Sequence, residues 1–182
     1  MLHFLKLMLQ ILMAPTRGWE DVGADSADAR IALRSGLLPL VALASITVGV
    51  GAFYELHPSA VALIIKAIVV FARYMIAYFC GVALLTYALP KLATDGAFDR
   101  NRTELFCVYC TAIMASIGIL QNLLPMELTL LQFLPIYVVV VICLGRTFLN
   151  VDESNIFRFA AFSIAGLILP VYIIDWLLMP AA

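Results

Sequence analysis

Charge is scarce in this sequence, and so are the residues that usually carry chemistry. Asp, Glu, Lys and Arg make up 13% of 182 residues, about half the roughly 25% of an ordinary soluble domain. There are two histidines, His3 and His57, and four cysteines. The sequence has no Walker loop, no G-x-S-x-G and no H-E-x-x-H, so phosphate-cradling, hydrolase-elbow and zincin chemistries have no foothold. No pair of carboxylates falls inside an apolar run, which argues against a proton-coupled pump. A net charge of −1 leaves no basic field for nucleic acid. With no nucleophile–base set and no cofactor motif, the chain is expected to be neither an enzyme nor a cofactor protein.

The cysteines add little. Cys107 and Cys110 form a CxxC, but neither a second pair nor a βαβ context accompanies it. Together with Cys80 and Cys143 they map to the inner half of the expected bundle, where thiols stay reduced and pack as small hydrophobes. A four-cysteine metal site is geometrically conceivable; the expectation is no metal.

What the sequence has is apolar length. Apolar residues are 64% of the chain and mean hydropathy is +1.05, and they are grouped in runs. A hydrocarbon core of roughly 30 Å needs about 20 apolar residues in a helix. Five runs qualify: 35–54, 59–89, 105–124, 128–145 and 157–178. Backbone N–H and C=O groups cannot stay unpaired in lipid, so the runs are helices. The expectation is an all-α, polytopic integral membrane protein with a five-helix transmembrane domain (35–182) after a cytoplasmic segment (1–34).

Basic residues set the orientation. Nine of the eleven Lys and Arg fall in segments that share one side, and the other two, Lys66 and Arg73, lie inside the second run. Cytoplasmic loops gather Lys and Arg. The short links at 55–58 and 125–127 enforce helical hairpins, while the longer links at 90–104 and 146–156 hold the bases. The N-terminus is therefore cytoplasmic and the C-terminus outside. Trp19 and Tyr87 mark the inner boundary, Tyr54, Tyr172 and Trp176 the outer one, as amphipathic aromatics do. The outer side carries Glu55, Glu127 and Asp175.

In the first fourteen residues His3, Lys6, Gln10 and Arg17 form a polar stripe at helical spacing, and Leu2, Leu5, Leu9, Leu12 and Met13 cover the other side. This reads as an in-plane interfacial amphipathic helix ending near Pro15. Residues 16–34 read as a loop around Gly18 and Gly23, then a short helix capped by Asp25 or Ser26 that leads into the first span. Small residues four apart (Ser45/Gly49, Ala77/Gly81, Ala112/Ser116, Ala161/Ala165) let helices approach closely, within the bundle or in a homo-oligomer.

Lys66 and Arg73 are the sharpest functional signal. A charge in a span costs about 2.5–3.5 kcal/mol on insertion scales and tends to face the bundle interior or a wet cavity. Seven residues apart, the two share a helix face. Lys66 reads either as a snorkelling residue paired with Glu55, Glu127 or Asp175, or as part of a polar path. Counted from Ser59 at 1.5 Å per residue, Lys66 is about 10 Å deep and Arg73 about 21 Å, where Arg73 has no charged neighbour expected. Its five donors would be met by carbonyls freed by Pro135 and Pro170, at Leu131 and Gly166, with water, Tyr78 or Tyr109. The candidate site for an anionic ligand or lipid headgroup is thus Arg73, Lys66, Tyr78 and Tyr109; its rival is a buried Arg that ties helices together.

The order of elements resembles the Yip1 family. The likeness begins with Pro15-Thr16-Arg17-Gly18-Trp19, a P-x-R-x-W segment ahead of the first span, and continues with Leu37-Leu38-Pro39-Leu40. Leu89-Pro90-Lys91-Leu92-Ala93 through Gly96-Ala97-Phe98 is similar to the family's K-L-x-G-G-x-F stretch, and Val108-Tyr109-Cys110-Thr111-Ala112 stands where a Y-A-S segment opens the third helix. The acidic-Leu-Tyr-Gly-Pro motif and long cytosolic region of eukaryotic members are missing, and Met114 falls near where the family often has proline. The resemblance implies a short, bacterial-type member in the cytoplasmic (inner) membrane, engaged in membrane organisation or trafficking-like processes through lipids or another membrane protein. Rab binding does not carry over. The rival function is a small lipid or solute transporter that uses Arg73 and Lys66.

Overall fold

In the computed structural model, residues 1–25, 27–51, 59–94, 98–124 and 129–178 are described. The expected short links at 55–58 and 125–127, with Tyr54, Glu55, His57 and Glu127, lie outside them, as does the tail at 179–182. Among the described residues there are helices and no strand; the only extended pairing is one isolated bridge, Ala93 with Val151.

The helices are α1 (Leu2–Met13), α2 (Pro15–Ala24), α3 (Ala29–Val50), α4 (Ala60–Leu92), α5 (Arg100–Leu123), α6 (Thr129–Leu144) and α7 (Glu153–Leu178). Four of them, α3, α4, α5 and α7, are long and apolar enough to cross a membrane. The 16 residues of α6 rise only about 24 Å at 1.5 Å each, short of a full core. α5 is the central helix: 72% of its most apolar stretch is buried, against 22% for α4 and for α7. The outer faces of α4 and α7 are apolar and exposed, including Ile76, Phe79, Ile173 and Trp176, a composition compatible with contact with lipid.

Sequence reasoning missed α2. The loop expected around Gly18 and Gly23 is helical from Pro15, a residue suited to a first helical position because its missing N–H needs no partner there. α1 and α2 form an antiparallel hairpin turned at Ala14, closed by His3–Asp25 at 2.9 Å and by a Gln10 Nε2–Asp21 hydrogen bond. Gly18 belongs here for a steric reason: a Cβ would lie 2.5 Å from the Ile11 Cα and 2.6 Å from its N. Backbone cannot yield as a side chain does. Gly18→Ala is therefore expected to cost about 1–3 kcal/mol, read as a lower midpoint of thermal unfolding in detergent; an unchanged midpoint would mean the hairpin is not so tightly closed.

The hairpin docks on the bundle. Phe4, Leu7, Met8 and Ile11 are buried, whereas Leu2, Leu9 and Met13 remain exposed. The side read as apolar from the sequence, Leu2, Leu5, Leu9, Leu12 and Met13, is exposed or half-buried, and the face packed on protein is a different one. Phe4 stacks on Tyr109 at 4.9 Å, and the Tyr137 hydroxyl donates to the Leu12 carbonyl at 2.6 Å. Trp19, expected in an interfacial belt, is instead 1% exposed. It stacks between Phe106 and Phe148 and donates from its indole N–H to the Val141 carbonyl at 3.1 Å.

α3 starts at Ala29, capped by Asp28, whose carboxylate accepts from the Arg30 N–H at 2.8 Å. The expected cap, Asp25, instead meets His3; Ser26 lies outside the described residues. A π-helical turn at Leu33–Leu37 precedes the rest of the helix, where Gly36 admits the Phe4 ring.

The two long basic links lie against one another. Thr94 N–H donates to the Asn150 carbonyl at 3.1 Å, and Asn155 Nδ2 to the Leu92 carbonyl at 3.4 Å. Asn150 takes a left-handed conformation, φ 52°, which Asn tolerates better than most residues. Asn101 joins the same end to the start of α3 by accepting from the Ala29 N–H and donating to the Ala27 carbonyl, both at 2.9 Å. Bases from three segments, Lys91, Arg102 and Arg146, therefore share one end of the bundle.

Candidate functional site

The site sits at the opposite end, between α4, α5 and α7. α4 supplies Arg73 and Tyr74. α7 supplies Tyr172 and Asp175, and reaches them through a second π-helical turn, Ile164–Ile168. That turn has two local causes. Pro170 lacks an N–H, so the Gly166 carbonyl loses its usual donor. Gly166 also packs directly on α4, where a Cβ would lie 2.9 Å from the Gly81 Cα. One extra residue in a turn rotates everything after it by roughly 100°, and this rotation fixes which face of α7 carries Tyr172 and Asp175.

Arg73 Nη1 lies 2.6 Å from both carboxylate oxygens of Asp175. Arg73 Nη2 donates to the Tyr74 hydroxyl at 3.0 Å, which donates on to the Met114 carbonyl of α5 at 3.3 Å. The guanidinium carbon also stands 4.7 Å from the Tyr74 ring centroid, a cation–π contact. Gly118 of α5 makes this chain possible, since a Cβ there would collide with the Tyr74 hydroxyl. The Arg73 side chain is 12% exposed and that of Asp175 33%. The Arg73 Nε is buried without a hydrogen-bond partner.

Beside the pair is a cavity of about 130 Å³. Tyr74, Gln121, Tyr172 and the ion pair give it polar walls; Met114, Ile117, Val138, Ile168 and Val171 give it apolar ones. Its depth can be counted along three helices. Arg73 is eighteen residues from Lys91, Asp175 seventeen from Arg158, and Gln121 nineteen from Arg102. At 1.5 Å per residue these are about 27, 26 and 28 Å, and three independent helices agree. Toward the basic end the bundle is sealed: Leu85, Phe106, Cys107, Cys110, Ile113 and Leu167 are each at most 1% exposed.

Of the four residues of the candidate site read from the sequence, only Arg73 lines this cavity. The expectation that it lacks a charged neighbour is overturned by Asp175. The sequence-based depth was counted from Ser59, but α4 has 33 residues, and its first three turns run past the layer in which Arg73 sits. Arg73 bonds to Asp175 and Tyr74 rather than to carbonyls released by Pro135 and Pro170. Lys66 is half-buried two turns farther along α4, outside the cavity lining. Tyr78 lies edge-on to Phe79, and Tyr109 is enclosed by Phe4 and Trp19. The signals that would have found the missing members were a lone acid near the end of a span and a Tyr adjacent to Arg73.

All four cysteines are free, and no group of three or more His, Cys, Asp or Glu is arranged to hold a metal among the described residues. No family model, curated protein or solved structure matches this chain.

Proposed function

We propose that this chain is a non-enzymatic integral membrane protein of the Yip1 type that acts through contact with lipids and holds a lipid headgroup at the Arg73–Asp175 cavity. The observation that carries this is a hydrogen-bonded, net-neutral charge pair beside a cavity about 26–28 Å along the helices from the basic end. A hydrocarbon core is roughly 30 Å thick, so with the basic end at the inner boundary the cavity comes level with the outer headgroups. Tyr172, at the mouth, is half exposed, and the flanking faces of α4 and α7 suit acyl chains.

In this reading five helices span, the apolar run at 128–145 being the fourth. α1 lies in the inner interface, with Leu2, Leu9 and Met13 toward lipid. The Yip1 likeness rests on its sequence segments, two of whose residues, Trp19 and Tyr109, are in edge contact. The rival, transport of a lipid or solute by Arg73 and Lys66, is favoured by the cavity itself and opposed by the sealed layer beneath it.

Native mass spectrometry of the protein purified in mild detergent tests the first reading. The expected result is one retained lipid, lost when Arg73→Gln and Asp175→Asn are combined. A fluorescent-lipid or solute flux through reconstituted vesicles above the empty-vesicle rate would favour the rival. Topology has its own test in a variant without native cysteines. Thr94→Cys and Ser154→Cys should react with an impermeant maleimide from one side and Ala182→Cys from the other; labelling of all three from one side would reject five spans.

A further inference from the structure

We propose that the cavity selects a zwitterion, a primary ammonium joined by a short linker to a phosphate, by exchanging the Arg73–Asp175 pair for two pairs with the ligand. The inference rests on the headgroup reading above and names the ligand class. It follows from charge balance at a partly buried pair. Arg73 and Asp175 together carry no net charge. A simple anion that captured Arg73 would leave the partly exposed Asp175 carboxylate without its partner; a simple cation would leave the more deeply buried Arg73 without one. An unpaired charge is far costlier there than a pair. A zwitterion separates the two residues and leaves each with a partner, so net charge never changes.

Hydrogen-bond capacity points the same way. Guanidinium offers five donors in a planar fork. Arg73 spends Nη1 on Asp175 and Nη2 on Tyr74, while its buried Nε bonds to nothing. Arg forks grip phosphate oxygens bidentately, and release from Asp175 would free Nη1 for such a grip. Both Asp175 oxygens now share one nitrogen of Arg73. A primary ammonium brings three donors and fills both acceptors, with the Tyr172 and Gln121 side chains beside it. A trimethylated ammonium has no N–H to give. The cavity of about 130 Å³ beside the pair has room for one small charged group, far more than the roughly 10–15 Å³ a single water needs on the same measure.

This chemistry occurs in phosphatidylethanolamine and in its soluble phosphodiester counterpart, glycerophosphoethanolamine. Delipidated full-length protein in detergent would be offered phosphatidylethanolamine, phosphatidylcholine and phosphatidylglycerol with identical acyl chains, at equal concentration, and read by native mass spectrometry. Phosphatidylethanolamine is expected to bind at least tenfold more than either competitor. Asp175→Asn, which leaves Arg73 as a lone cation, should reverse the order in favour of phosphatidylglycerol. Equal or preferred binding of phosphatidylglycerol by the unaltered protein, or an unchanged order in Asp175→Asn, overturns the proposal.

Should Asp175→Asn fail to accumulate, competition on the unaltered protein decides. Glycerophosphoethanolamine should displace bound lipid where inorganic phosphate does not; equal displacement by both counts against the zwitterion. Binding of glycerophosphoethanolamine without retention of any phosphatidylethanolamine identifies the soluble source and keeps the ligand class. Binding with anionic preference rejects only the zwitterion, whereas no binding of any probe rejects the headgroup reading as well.

Discussion

Trp19→Ala lowers the stability of the folded protein by about 3–5 kcal/mol, the usual cost of truncating a large buried aromatic. Trp19 is 1% exposed, stacks on Phe106 and Phe148 at 5.1 and 5.3 Å, and meets Tyr109 edge-on. Alanine leaves a void that these rings cannot close, because Phe106 also packs on Phe159 and Tyr109 on Phe4. The Val141 carbonyl loses its indole donor as well. Trp19→Phe should retain most of the stacking and lose about 1 kcal/mol for the hydrogen bond. Thermal unfolding in detergent, followed by retention of a monodisperse peak on size exclusion, gives both values. A loss under about 1 kcal/mol for the alanine variant would mean that the hairpin is peripheral to folding.

Arg73→Leu has the second large effect. Removing one partner of a buried ion pair typically costs about 3–5 kcal/mol. The Asp175 side chain is 33% exposed, so water offsets part of this, and about 2–3 kcal/mol is the expected loss. Combining Arg73→Leu with Asp175→Leu should recover stability to within about 1 kcal/mol of the unaltered protein, since the orphaned carboxylate goes with its partner. Headgroup retention should be absent from both variants. If the double variant is no more stable than the single, the pair is not what governs stability at this end of the bundle.

The all-helical character was legible because it follows from lipid's inability to hydrogen-bond, and the run boundaries were close: 105–124 against Arg100–Leu123, 128–145 against Thr129–Leu144. α2 was not legible. Two glycines in ten residues signal a loop by propensity, yet Gly18 is there so that two backbones can touch, a tertiary requirement that local statistics cannot register. Trp19 was misassigned for a similar reason: a Trp near a span end fits a membrane belt, and only the fold brings Phe106 and Phe148 around it. Arg73 was found because a cation in an apolar run is anomalous on its own. Asp175 was set apart from it because depth was counted from one helix end, and a helix longer than the bilayer needs makes that count ambiguous by several turns. The π-helical turn before Pro170, which orients Asp175, has no reliable sequence signature. Tyr78 and Tyr109 share roughly the right faces and lie at other levels.

The hairpin's partners also impose a schedule on synthesis. Leu12 waits for Tyr137 and Trp19 for Val141, more than 120 positions later in each case. At ribosomal speeds of about 5–20 residues per second the delay is roughly 6–24 s. Throughout it the apolar side of α1 and the Trp19 indole have no finished surface to rest on. The hairpin therefore cannot finish docking until α6 has been made.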